Sequence, residues 1–383
     1  MIAFASLLAA LAAPRLAHAI GAAGDAAGQA FRVAQDHARA GRWDEAIATY
    51  RAMLATDPRN VDARAGLIDV LIWDRQFDAA DRELDVGLTL APKAPALLSR
   101  RARLLHLRGE TARGRPYLTR AEELSPGDDE LLLIGDRMWL GEARLRVRND
   151  FFPKGWDDLP AAELSILQRA GRFVFGARTE HSRRFATAYG ARAYNAFYAG
   201  SIAYSIAVGW VAGVEVGFGA PARAIPDALV RGSLYFPLVG RLDGYAAYSW
   251  FRYPNDIAVN MLNPVLGFQL TDQLRVDARY WIARVGAPGT ETDLVHSYGG
   301  HVAYRPVRRL AFDAFYVYGA QLDRLPNTAQ LGAIRSHIMT GAIDLLVVRE
   351  FGLRPLYEFE IRKNPRGDVI HIHAVELAVY ARW

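Results

Sequence analysis

The last fifteen residues of this chain alternate in polarity with a period of two. Val369, His371, His373, Val375, Leu377, Val379, Ala381 and Trp383 share one face of such a segment. Ile370, Ile372, Ala374, Glu376, Ala378, Tyr380 and Arg382 share the other. Successive side chains of a strand point to opposite sides, so the pattern predicts a strand with one mostly apolar face and one that carries charge. The same period runs back to residue 143. Arg144, Arg146, Arg148 and Asp150 alternate with Leu145, Val147, Asn149 and Phe151. Arg178 and Glu180 alternate with Ala177 and Thr179, and Arg275, Asp277 and Arg279 with Leu274, Val276, Ala278 and Tyr280. Arg354, Glu358, Glu360 and Arg362 alternate with Leu353, Tyr357, Phe359 and Ile361. Each strand thus offers one side to an apolar medium and the other to water or to partner charges.

A soluble sandwich alternates in the same way, so the connections decide between the two. Turn signals at Arg169–Arg172, Pro237–Arg241, Thr271–Gln273 and Pro306–Arg309 are short. Between them lie longer connections at Gly217–Asp227, Gly286–Leu294 and Asp323–Ile334. Short turns on one rim and long loops on the other predict an antiparallel transmembrane β-barrel, with room for about 12 to 14 strands. Trp156, Trp250, Tyr253 and Trp281 lie near strand ends, where interfacial aromatic girdles are expected. Ile202–Phe218 is apolar enough to suggest a membrane helix, but Glu215 and three glycines argue for strands instead.

The first third has a different period. Pro58, Pro92 and Pro126 are 34 residues apart, as are Ala46 and Ala80, Trp43 and Phe77, and Leu54 and Leu88. This resembles the tetratricopeptide repeat, a pair of helices per unit. Small Ala46 and Ala80 permit close helix approach, Tyr50 and Leu84 fill the groove, and each proline follows a helix it cannot continue. The third copy has Gly114 at the small position and Pro116 inside its second helix, which predicts a short or bent helix there. Asp129–Leu140 reads as an amphipathic capping helix. The resemblance implies protein or peptide binding on a concave face. By register that face includes Gln35, Asp69, Trp73, Arg103 and His106; a plain spacer is the alternative.

Composition narrows the classes. The chain is 51% hydrophobic and 23% charged, which fits neither a disordered chain nor a polytopic helical membrane protein. Having no cysteine excludes disulfides and thiolate chemistry. The net charge of +5 is spread along the sequence without a dense basic cluster, so nucleic acid is not expected as a partner. Ile2–Ala13 is apolar and Ala17-His18-Ala19 offers a cleavage site, which predicts an export signal over residues 1–19. The organisation expected is that signal, a repeat domain over 26–140 and a barrel over 141–383: two domains, an α-helical solenoid followed by β structure.

Further features bear a family resemblance. The order of signal, repeats and barrel, with Gly155-Trp156 in the first loop, Arg172-Phe173, Ala193-Tyr194 and the closing Tyr380-Ala381-Arg382-Trp383, resembles the YaiO-type outer-membrane proteins. The same domain order is similar to that of exopolysaccharide-secretion porins, whose repeat part is much longer. The resemblance implies location in outer-membrane lipid, with the repeats in the periplasm; it implies no substrate.

The candidate site is the charged inner face. Arg144, Arg146, Arg148, Asp150, Arg178, Glu180, Arg275, Asp277, Arg279, Arg354, Glu358, Glu360, Arg362, Glu376 and Arg382 are expected to line the lumen. They read either as a polar conduit with mild anion preference or as mutually neutralising pairs that close the path. His371 and His373 share a strand face but lack a third ligand, so no metal is expected, nor any cofactor. Ser297, His301 and Asp313 are the one grouping that suggests a hydrolase, and their spacing does not require it. The expected function is a conduit that passes a polar polymer, such as an exopolysaccharide, with repeats that recruit a periplasmic partner. A non-conducting scaffold or adhesin, and a barrel-embedded lipid or glycan enzyme, are the alternatives.

Overall fold

A computed structural model describes residues 22–153, 158–185, 192–222, 225–254, 256–271, 273–287, 290–319, 335–363 and 367–383. The expected export signal, the first-loop pair Gly155-Trp156 and the connection Asp323–Ile334 fall outside these residues. The chain divides into a helical unit and a β unit that begins at Leu140.

The helical unit has seven described helices: α1 (Ala22–Arg39), α2 (Trp43–Thr56), α3 (Val61–Trp73), α4 (Phe77–Leu90), α5 (Pro95–Leu107), α6 (Thr111–Leu124) and α7 (Asp129–Gly135). The 34-residue step has a backbone counterpart. Gly41, Arg75 and Gly109 all take left-handed conformations, with φ of +73°, +60° and +80°, and each ends the first helix of a pair. Arg75 does so with a side chain, which costs about 1 kcal/mol relative to glycine. The second step falls after the prolines. Asn60 and Asp128 cap α3 and α7 by accepting from Ala63 N at 2.9 Å and Glu130 N at 2.8 Å. Ala46, Ala80 and Leu84 are fully buried and Tyr50 nearly so. The Tyr50 ring lies against Gly66, where a Cβ would come within 2.5 Å of it.

Two expectations change here. α6 spans 14 residues, as α2 and α4 do, and is not shortened. Pro116 lies in its second turn and leaves only the Ala112 carbonyl without its usual donor, while Leu118 and Ala121 bury against α5 and α7. Gly114 is needed there because a Cβ would meet the Ala102 carbonyl oxygen at 2.8 Å. The capping helix is also shorter than expected. α7 stops at Gly135, and Met138 completes the cap from the segment that follows.

The β unit is a closed antiparallel barrel of fourteen strands, each paired with its sequence neighbours and β1 with β14. In order they are β1 (Gly141–Phe151), β2 (Leu159–Ala170), β3 (Phe173–Phe185), β4 (Arg192–Ala207), β5 (Trp210–Gly219), β6 (Ala228–Pro237) and β7 (Leu242–Tyr253). Then follow β8 (Ile257–Gln269), β9 (Leu274–Ala287), β10 (Thr290–Val307), β11 (Leu310–Gly319), β12 (Arg335–Val348), β13 (Phe351–Lys363) and β14 (Val369–Arg382). Closure gives every strand two partners and leaves no edge. The seam runs from Glu142 opposite Arg382 to Phe151 opposite His373. Trp383 packs on Gly141, where any Cβ would overlap its ring. Ile202–Phe218 is the end of β4 and most of β5, a hairpin, as the glycines suggest.

The two rims differ. Connections on the rim that holds the start of β1 and the end of β14 are two to four residues long. Those on the opposite rim are mostly longer, including 220–227. The expected long connection at Gly286–Leu294 is instead a tight hairpin, because β9 and β10 continue to Ala287 and Thr290. The period-two signal fades there, since Thr290-Glu291-Thr292-Asp293 is polar on both faces, but the ladder does not stop. Tyr253 and Trp281 also depart from expectation. Both point into the barrel, Tyr253 among Phe251, Ile257 and Val259, and Trp281 against Phe315. Trp250 keeps the outward parity of Tyr248.

Candidate functional site: the inner wall of the barrel

All fifteen residues expected to line the lumen lie on the inward face, at the positions that alternate with exposed apolar side chains. Most are held in ion pairs that wrap the wall. Arg146 Nη2 donates to Glu163 at 2.7 Å, and Arg148 bonds Asp150 at 2.6 Å and Glu358 at 2.8 Å. Arg178 and Arg231 converge on Glu215 at 2.8 and 3.1 Å. Arg275 makes a two-pronged contact with Asp243 at 2.6 and 2.7 Å, and Arg279 bonds Asp277 at 2.7 Å. Arg354 reaches Asp313, Arg362 binds Glu360, and Arg382 binds Glu142. Arg144 pairs with Glu142 and lies over the Tyr380 ring. Glu376 stands 3.7 Å from Arg146, and Glu180 lies on the same inward face of β3.

The geometry of these pairs bears on whether the path is closed. The inter-strand ion pairs described above join strands that are adjacent or one strand removed, and none of these pairs crosses the diameter. The charges therefore line the wall, where each pair shields its partners and lies partly out of water. Eight residues of the inner face are not among those expected to line it. Glu142, Glu163, Glu215, Asp243, Asp313 and Asp344 add to the acidic side of the inner face, and Arg169 and Arg231 to the basic side. Parity within each strand is the signal available for them; cross-strand register, which decides partners, leaves none. With those residues counted the wall is close to neutral, which removes the expected anion preference.

The hydrolase grouping does not assemble. His301 Nδ1 lies 2.9 Å from Asp277 Oδ2, and its Nε2 lies 2.9 Å from Asp313 Oδ1. Each ring nitrogen faces a carboxylate, so neither is left to take a proton from a nucleophile. Ser297 stands four residues away on the same strand face, about 13 Å at 3.3 Å per residue. His301 is a bridge in the wall network. His371 and His373 project outward, with His373 bonded to Tyr357 and both rings packed on Phe359.

The five repeat residues lie on the first helix of each pair: Gln35 on α1, Asp69 and Trp73 on α3, Arg103 and His106 on α5. Asp69 is shared by two arginines, with Oδ2 2.7 Å from Arg100 Nη2 and Oδ1 3.1 Å from Arg103 Nη1. Burial acts to lower the Arg100 pKa, but Asp69 and Glu130 more than offset it and raise it overall. For Arg103 burial wins over Asp69 and the value falls. Nε and Nη2 of Arg103 are buried without a hydrogen-bond partner. Trp73 packs against Trp43, and His106 Nδ1 lies 2.9 Å from Thr111 Oγ1.

Residues 37–104 match the tetratricopeptide-repeat family model. No curated protein sequence matches the chain. Among solved structures, the barrel is similar to the CymD monoaromatic hydrocarbon channel, at 10% identity and a TM-score of 0.47, over 65% of this chain and 91% of that one. It is also similar to the toluene transporter TbuX of Ralstonia pickettii, at 13% identity and a TM-score of 0.44, over 64% and 90%. The helices resemble the Yersinia enterocolitica type III secretion chaperone SycD, at 23% identity and a TM-score of 0.27, over 30% and 87%. At these identities and scores none of them carries a solute or a partner over to this chain. No helix among the described residues is long and apolar enough to cross a membrane, which says nothing of strands.

Proposed function

We propose that this chain is an outer-membrane conduit for a polar polymer, such as an exopolysaccharide, with repeats that engage a periplasmic protein. The observation that carries the reading is the division between the two faces of the wall. The outward face is apolar and aromatic at mid-strand, as at Leu145, Val214, Leu266 and Val375, and the inward face holds the ion-pair network. An apolar exterior on a closed barrel is stable only against hydrocarbon. Short periplasmic turns and longer outer loops are the usual orientation, which puts the start of β1 on the periplasmic side. A near-neutral wall of paired donors and acceptors suits a hydroxyl-rich chain, because it hydrogen-bonds without holding one charge sign.

Planar-bilayer recording on the full chain tests this. Discrete conductance steps with little preference between cations and anions are expected, and soluble polysaccharide added to one side should interrupt them. A barrel that stays closed both with and without residues 26–140 would overturn the reading and leave a non-conducting scaffold in its place.

A further inference from the structure

The outward face of the barrel is asymmetric in charge. Its described basic side chains Arg183, Arg252, Arg284, Arg335 and Lys363 all lie toward the rim of longer connections; Arg252 is bonded to Asp227 at 2.9 Å, while Arg335 and Lys363 have no Asp or Glu beside them at the described outward positions of β11 to β14. Just below them runs a set of cross-strand tyrosine–histidine pairs. Tyr280 with His296, Tyr316 with His337 and Tyr357 with His373 have hydroxyl–Nδ1 distances of 2.5, 2.8 and 2.6 Å. A hydroxyl that donates to Nδ1 leaves the ring proton on Nε2 as a donor.

One sector adds a groove. Between β10 and β13 the outer wall sinks into an open cavity of about 820 Å³. Gly300, Ala314 and Gly341 form its floor, and Val302, Met339 and Phe359 wall it. Tyr316 and Tyr357 line it too, so both tyrosine–histidine pairs border the groove. Arg335 and Lys363 face each other across β12 and β13, one outward position beyond His337 and Ile361.

We propose that this groove binds one lipid with a phosphomonoester headgroup, namely the phosphorylated glycolipid of the leaflet at the long-loop rim. One of its acyl chains lies in the groove, and its phosphate meets Arg335, Lys363 and the His337 imidazole, which sits one outward position below Arg335. Taking the roughly 30 Å³ share of a water molecule as the unit, the groove holds about two dozen methylene-sized groups, more than one short acyl chain needs. A phosphomonoester has three free oxygens and nearly two charges, which uses two cations and an N–H donor more fully than a phosphodiester. Among the described outward positions of β11 to β14 there is no Asp or Glu, so such a headgroup meets no carboxylate repulsion there. The assignment rests on the outer-membrane reading above.

Native mass spectrometry of the full chain in detergent, with added lipid A, dephosphorylated lipid A or phosphatidylglycerol, tests it. Two variants separate headgroup from chains. The double variant Arg335→Ala with Lys363→Ala removes the cations, and Gly341→Leu fills the groove. A Cβ at Gly341 meets nothing within 4 Å, so the fold accommodates it. One equivalent of lipid A retained by the native chain, reduced about tenfold or more in both variants, is expected. Equal retention by the variants, or equal retention of either comparison lipid, would overturn the proposal. Heat-modifiable mobility of the same samples reports barrel insertion, so a barrel that fails to insert is told apart from one that inserts without the lipid.

Discussion

Asp69 stands between two guanidinium groups whose side chains are 13% and 4% exposed, and it is the one carboxylate bonded to both. Removing one member of a buried ion pair strands the other charges in a low-dielectric interior, at a typical cost of about 3–5 kcal/mol. Asp69→Ala should therefore lower the urea midpoint of the helical signal at 222 nm strongly, and Asp69→Asn by less. An unchanged midpoint would mean that water reaches the cluster. Tyr50 gives a pH test in the same unit. Burial, helped by Asp69, pushes its hydroxyl up to about 12. A folded value above the unfolded one means that its contribution is complete below pH 10 and is lost as pH rises from 10 to 12. The loss is about 3 kcal/mol, at about 1.4 kcal/mol per pH unit over two units. Alkaline titration of the helical signal should be shallower over that window in Tyr50→Phe than in the native chain.

At the level of single elements, the outward face of each strand should tolerate charge according to depth. Val214 lies mid-way along β5 and is half exposed on the apolar face. Arginine there should cost about 2–4 kcal/mol of barrel stability in lipid, and at Val369, beside the rim, about 0–1 kcal/mol. Urea unfolding in vesicles checks both; equal costs at the two sites would contradict a bilayer around this wall. Elements are also where the sequence is most readable. Strand faces follow from period two, a local property, so the parity of Arg146, Arg279 and Glu358 can be read directly. The partners Glu163, Asp243 and Glu215 depend on register between strands, which residue spacing does not carry. Position near a strand end misleads for Tyr253 and Trp281, because parity and not height decides which side an aromatic takes. The β9–β10 connection is misread because backbone pairing continues past the point where apolar alternation ends.

For the molecule as a whole, two architectures follow from two periods. The 34-residue step builds a solenoid whose core is Leu67, Ile68, Leu71 and Leu84, away from water. The two-residue step builds a barrel that carries a continuous row of exposed apolar side chains on its outside, with Tyr248 and Tyr298 more than half exposed, besides a smaller apolar cluster within. Only the second arrangement requires a solvent other than water. Sedimentation of the purified full chain, with and without detergent, tests this most directly. In micelles it should be monodisperse, with strand and helix signals together and a heat-modifiable mobility. In plain buffer it should aggregate. A monomeric, folded chain in buffer without detergent would contradict a lipid-facing wall.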